Sequence, residues 1–178
     1  MKTYVALLRG VNVGGRKVVM SDLRRVFVEL GHSDVTTYLQ SGNVVFRSPV
    51  DQPVRLAGDI EERIAENLAV SVTVLVRTGA DLDRVVAGNP FGGPTADLTK
   101  LHVTFLAEPP DPGRLVRLQP ESGEPDEFSV SGREVYLRCP NGYGRTKLNN
   151  AFFERRFGVA ATTRNWNTVT KLRELLGG

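Results

Sequence analysis

Two segments of the chain combine glycines with cations in a pattern suited to holding an anion. Arg9-Gly10-Val11-Asn12-Val13-Gly14-Gly15-Arg16-Lys17 carries three glycines and three basic residues. Glycines let backbone N–H groups converge on one point, and the cations neutralise the charge held there. Gly10 and Gly15 have P-loop spacing, but Arg16 stands where that motif needs lysine and Lys17 where it needs Ser or Thr, so this is no Walker loop. Pro140-Asn141-Gly142-Tyr143-Gly144-Arg145-Thr146-Lys147 repeats the grammar later in the chain, with Thr146 as a candidate cap for the helix that follows. A helix N-terminus beside backbone donors makes an anion site without a special catalytic residue. Ordinary turn geometry with solvated cations gives the same composition, and both readings stay open.

A third polar segment, Thr162-Thr163-Arg164-Asn165-Trp166-Asn167-Thr168, surrounds the single tryptophan. Trp166, Val169, Leu172 and Leu176 can share one helical face, which predicts a core anchor for the ring in preference to a stacking platform. Arg164 and Asn165 are candidate ligand contacts, with capping of neighbouring backbone as the alternative.

Conventional catalytic groupings are weak. His32 follows a helix-stopping glycine and His102 lies in a predicted strand, neither beside a nucleophile signature. Cys139, the single cysteine, is expected to be a structural thiol, and with two histidines in the chain no metal site is expected. Glu61, Glu62 and Glu66 form a solvated helix face.

The elements that would position these segments follow from periodicity. Thr3–Leu8 is a buried strand. Ser21 is placed to cap a helix with apolar Leu23, Val26, Phe27 and Leu30, ended by Gly31. Strands at Asp34–Leu39 and Asn43–Arg47 are joined through Gln40-Ser41-Gly42. Pro53 opens a helix to about Asn67, and Ser71–Arg77 returns as a strand. The order βαββαβ is ferredoxin-like. Asp81–Ala87 is a short helix before a Pro/Gly stretch at Asn89–Pro94. Strand Leu101–Ala107, helix Pro112–Leu118, a hairpin of Glu127–Ser131 with Glu134–Cys139, and helix Leu148–Phe157 then give βαββα. Asn165–Leu176 is expected as a helix where the first half had a strand. The fold class is therefore α+β, with two ferredoxin-like (βαββα-type) subdomains: residues 1–78, a connection at 79–100, and residues 101–178.

Length and charge agree with that picture. With 178 residues, 40% apolar and 24% charged, the chain is of ordinary globular composition. Its longest apolar run, Tyr4 to Leu8, is far short of a membrane span, and no signal-peptide pattern precedes it, so a cytoplasmic protein without membrane association is expected. Residues 1–50 hold seven basic and three acidic residues, 51–130 seven and fourteen, and 131–178 nine and three. Two basic ends could form one positive patch suited to phosphate or nucleic acid.

The strings Leu7-Leu8-Arg9-Gly10-Val11-Asn12-Val13-Gly14-Gly15, Tyr38-Leu39-Gln40-Ser41-Gly42-Asn43-Val44-Val45-Phe46 and Thr163-Arg164-Asn165-Trp166-Asn167-Thr168-Val169 resemble the bacterial domain-of-unknown-function 1697 family along essentially the whole chain. The resemblance implies a cytoplasmic α+β fold with two ferredoxin-like subdomains and supplies no reaction. Its signature positions fall on Arg9, Gly10, Asn12, Gly14, Gly15, Ser41, Gly42, Asn43, Arg164, Asn165, Trp166 and Thr168, with Gly142 and Lys147 matching its glycine loop.

The leading functional expectation is a binder of a small anionic or phosphorylated ligand. Arg9, Asn12, Gly14, Gly15, Ser41, Asn43, Lys147, Arg164 and Asn165 would line the site, with Arg9 and Asn12 exposed in a cleft between the halves. No catalytic residue or cofactor is assigned. The runner-up is a nucleic-acid module using a basic sheet face with Tyr4 and Phe46 as stacking surfaces. A third reading makes the polar strings purely structural.

Overall fold

Alternating apolar residues in Lys2–Arg9 (β1) put Tyr4, Ala6 and Leu8 on one face of a strand and Val5 and Leu7 on the other, and all five are buried. Such a strand belongs in the middle of a sheet. The computed structural model, which describes residues 1–12, 17–118 and 125–177, places it there. β1 pairs antiparallel with Asn43–Ser48 (β3) and with Thr73–Thr78 (β4), while Ser33–Tyr38 (β2) pairs with β3, giving the order β2-β3-β1-β4. Helices Met20–Glu29 (α1) and Pro53–Leu68 (α2) cover the Tyr4 face. Leu23, Val26 and Phe27 of α1 and Leu56, Ile60 and Ile64 of α2 complete that core.

Both helix ends of α1 follow local chemistry, one of them differently from expectation. The helix begins one residue before Ser21, with extended Val19 in the cap position: its carbonyl accepts the first helical bond from the Leu23 amide at 3.0 Å, and valine has no side-chain acceptor to add a cap. At the other end Gly31 (φ +85°) turns the chain left-handed, its amide bonds Val28 O and that of His32 bonds Phe27 O, closing a Schellman motif. The His32 ring then packs 6.1 Å from that of Phe27 and 4.8 Å from that of Phe46. His32 is a core residue, and its two ring nitrogens lack hydrogen-bond partners among the described residues.

The second sheet repeats the first. Leu101–Leu106 (β5), Glu127–Ser131 (β6), Glu134–Arg138 (β7) and Ala161–Asn165 (β8) stand in the order β6-β7-β5-β8, all antiparallel. Helices Pro112–Val116 (α4) and Asn150–Phe157 (α5) accompany it, with Phe153 and Phe157 packed on Leu106, Val135, Leu137, Cys139 and Ala161. The second half is thus βαββαβ as well. The expected run of helix from Asn165 overlooked β8, whose Ala-Thr-Thr-Arg-Asn lacks apolar alternation, and the helix starts one residue later, at Trp166–Leu175 (α6).

Contacts divide the chain into two units, Met1–Arg84 with Leu172–Gly178, and Val85–Lys171. One boundary falls within Gly79–Ala87 (α3) and the other within α6. A residue-level echo links the two halves. Arg77 pairs in register with Val5, and Arg164 with Val103, each arginine one residue before its edge strand ends. Next comes a cap. Thr78 and Asp81 exchange side-chain-to-amide bonds at 2.9 and 3.1 Å at the start of α3, and Asn165 accepts from the Thr168 amide at 2.8 Å at the start of α6.

Candidate functional site

In the first unit, two of the polar strings meet at one end of the sheet. β1 ends at half-buried Arg9, and the chain turns at Gly10 (φ +72°) and Asn12 (φ +58°), two left-handed residues separated by buried Val11. A Cβ at Gly10 would meet nothing within 4 Å, so the backbone angle, not lack of room, requires glycine there. Asn12 donates from Nδ2 to Gln40 O at 2.5 Å and accepts from the Val18 amide at 2.8 Å. Its side chain therefore ties the loop's return to the β2–β3 turn. The turn is braced from within by Asn43, which is fully buried and donates to Tyr38 O at 2.8 Å and to Ser41 Oγ at 3.0 Å. Ser41 and Lys17 are exposed.

Asn12 and Asn43 thus hold backbone in place, and Arg9, Lys17 and Ser41 supply the charge and hydroxyl at the loop pair. Arg9 and Asn12 are half-buried rather than exposed as expected. Gly14 and Gly15, expected to present N–H donors, lie outside the described residues.

The remaining expected site residues belong to the second unit. Lys147 is exposed. Arg164 is buried, and desolvation lowers its pKa to about 10, still well above neutrality. It donates to Thr162 Oγ1 at 2.7 Å and to Thr163 O at 3.0 Å. Asn165 caps α6, and Trp166 is buried. Thr146 does not cap α5. That role falls to Asn149, whose Oδ1 accepts from the Phe152 amide at 2.9 Å, while Thr146 donates to Asp126 at 2.7 Å. Burial pushes the Cys139 thiol above its usual range, the opposite of an activated nucleophile.

A polar network inside this unit was not read from the sequence. Thr104 and Thr163 hydroxyls meet at 2.7 Å across β5 and β8, and Thr163 donates to Asn150 Oδ1 at 2.7 Å. The Tyr143 ring stacks 4.8 Å from that of buried His102, and burial raises the Tyr143 pKa while lowering that of His102. His102 and Thr104, two residues apart on a central strand, were the available signal: polar groups at a period of two inside an apolar run mark a hydrogen-bonded stripe. A cavity of about 620 Å³ in the same unit, lined by Phe91, Asp97, Lys100, Glu127 and Arg138 among others, was likewise unforeseen.

The expected stacking surfaces are absent. Tyr4 and Phe46 are both fully buried, their ring centroids 5.8 Å apart in the helix-covered core, where neither can reach a base.

A family profile described as "Protein of unknown function (DUF1697)" matches residues 1–136. The chain belongs to the DUF1697 family. The matched residues contain the family strings Leu7–Gly15 and Tyr38–Phe46 and end before Thr163–Val169, so the profile covers less of the chain than the resemblance suggested. A solved structure of the conserved bacterial protein SP0830 from Streptococcus pneumoniae is similar at a TM-score of 0.76 and 24% identity, over 100% of this chain and 99% of that one. That likeness establishes the shared fold, β8 and α6 included. No curated protein matches the chain. No helix among the described residues is long and apolar enough to cross a membrane.

Proposed function

We propose that this DUF1697 chain binds a small anionic or phosphorylated ligand at the loop pair of its first unit. The observation that carries the reading is the way Asn12 and Gly42 lock the loop after β1 onto the β2–β3 turn. The Leu8 amide donates to Gly42 O at 2.9 Å, and Asn12 bridges from the loop to Gln40 O. Fixed, left-handed backbone at Gly10 and Asn12 beside the cations Arg9 and Lys17 is the arrangement that anion-binding loops use. Arg9 and Lys17 neutralise the ligand, Ser41 offers a hydroxyl, and Asn12 and Asn43 position the backbone rather than touch the ligand. Gly14 and Gly15, outside the described residues, and Lys147, in the second unit, carry no part of this reading. The test is a thermal-shift screen against nucleotides, sugar phosphates and sulfate. A ligand at 100 times its dissociation constant adds about 2.7 kcal/mol, and Arg9→Ala should abolish the shift. No stabilising anion across the library, or an undiminished shift in Arg9→Ala, contradicts the reading.

For Arg164 and Asn165 a structural role is the better reading. Buried Arg164 is bonded to the strand that carries it, and Asn165 caps the helix that follows. Nucleic-acid binding by base stacking loses its support with the burial of Tyr4 and Phe46.

A further inference from the structure

In the second unit, Arg114, Arg117, Arg155 and Arg156 line a cavity of about 270 Å³, with Leu118 the only other lining residue among those described. α4 supplies Arg114 and is followed by Arg117, and α5 supplies the other two. None of the four is paired with a carboxylate among the described residues. Among the described residues, Asp111 beside Arg114 accepts from the Gly113 amide at 2.7 Å, and Glu154 beside Arg155 accepts from the Ala161 amide at 3.2 Å. Arg114 is instead set in place by a bond from Nη1 to Arg156 O at 3.4 Å, and Arg156 lies 5.2 Å from the Phe152 ring centroid. Gly158 makes room for this, since a Cβ there would stand 2.8 Å from Arg114 Nη1. Four guanidiniums around one small cavity repel one another. The cost is relieved by an anion of matching charge, and the planar fork of each guanidinium favours bidentate contact with phosphoryl oxygens.

We propose that this cavity binds a compact anion of two or more linked phosphoryl groups, as in inorganic polyphosphate or the phosphate chain of a free nucleotide. Four forks, three on α4 and α5 and one just after α4, suit several linked phosphoryls better than a single one. The site is separate from the loop pair of the first unit and does not depend on it.

The experiment is calorimetric titration of the full chain carrying Arg9→Ala, which silences the loop pair, with inorganic triphosphate and in parallel with ATP. Saturable binding of triphosphate is expected, weakened at least about tenfold in Arg117→Glu/Arg155→Glu with no loss of melting temperature. Should that variant fail to fold, Arg117→Gln/Arg155→Gln removes the same forks without reversing charge and carries the same expectation. Equal affinity for the two ligands identifies the phosphate chain alone as the target, and tighter ATP binding identifies a nucleotide; either supports the site. Absent binding, affinity unchanged in both double variants, or binding of a single-stranded RNA without binding of triphosphate overturns it.

Discussion

Gly42 stands against Leu8 so closely that a Cβ at position 42 would lie 2.8 Å from the Leu8 Cβ, and the Leu8 amide donates to the Gly42 carbonyl at 2.9 Å. Gly42 also has φ +84°, a left-handed conformation that L side chains rarely adopt. Sterics and backbone angle therefore both demand glycine where the turn abuts the last residues of β1. Gly42→Ala should lower stability by about 2–4 kcal/mol, since strain and overpacking add. Urea denaturation checks this, and a loss below about 1 kcal/mol would show that the two loops separate cheaply.

Asn12 is expected to act through its side chain and its backbone separately. Asn12→Gly keeps the left-handed angle and deletes the bonds to Gln40 O and Val18 N, which should cost about 1–3 kcal/mol. Asn12→Ala loses the same bonds and adds about 1 kcal/mol of left-handed strain. Denaturation curves of the two variants should therefore rank glycine above alanine, and the reverse order would contradict the conformational argument.

Acid should weaken the fold near pH 6. Burial lowers the pKa of His32 and of His102 from the ordinary 6.5, so the unfolded chain takes up these protons first as pH falls. Stability is then full well above pH 6.5 and declines as pH drops through it, by up to about 1.4 kcal/mol per histidine between pH 7.5 and 5.5. His32→Phe, which keeps an aromatic ring against Phe27 and Phe46, should flatten its share of that slope. Equal slopes in the two proteins, measured by denaturation at pH 7.5 and 5.5, would refute the assignment to His32.

Arg164 and Asn165 should fail as structural residues do. Arg164→Ala removes a buried group bonded to Thr162 and Thr163 and should cost about 2–3 kcal/mol, and Arg164→Lys should not restore it because ammonium lacks the planar fork. Asn165→Ala loses the α6 cap for about 1 kcal/mol. Both variants should keep whatever anion affinity the first unit has; loss of that affinity at full stability would return them to the site.

Most elements were legible because apolar periodicity dictated them: Leu23, Val26 and Phe27 define α1, and Leu56, Ile60 and Ile64 define α2. β8 was illegible because its inward residues include Arg164 and Thr162, which satisfy each other by hydrogen bonding and leave no apolar alternation to detect. The Ser21 and Thr146 caps failed for a related reason. Thr146, Asn149 and Asn150 all stand near the start of α5, and the bond from Thr146 to Asp126 leaves Asn149 to cap it, whereas Ser21 falls inside the first turn of α1, which begins at Met20. In the candidate site the strings Arg9–Asn12 and Ser41–Asn43 were legible as polar and glycine-rich. Their adjacency was not, since it depends on β1 pairing with β3.

The central claim, an anion held by the loop after β1, is tested most directly by titrating inorganic phosphate into the ¹⁵N-labelled chain and following backbone amides. The account predicts saturable shifts confined to Gly10, Val11, Asn12, Lys17 and Ser41–Asn43, lost in Arg9→Ala while the rest of the spectrum is unchanged. Unshifted amides at these positions, or the same shifts in Arg9→Ala, would contradict it.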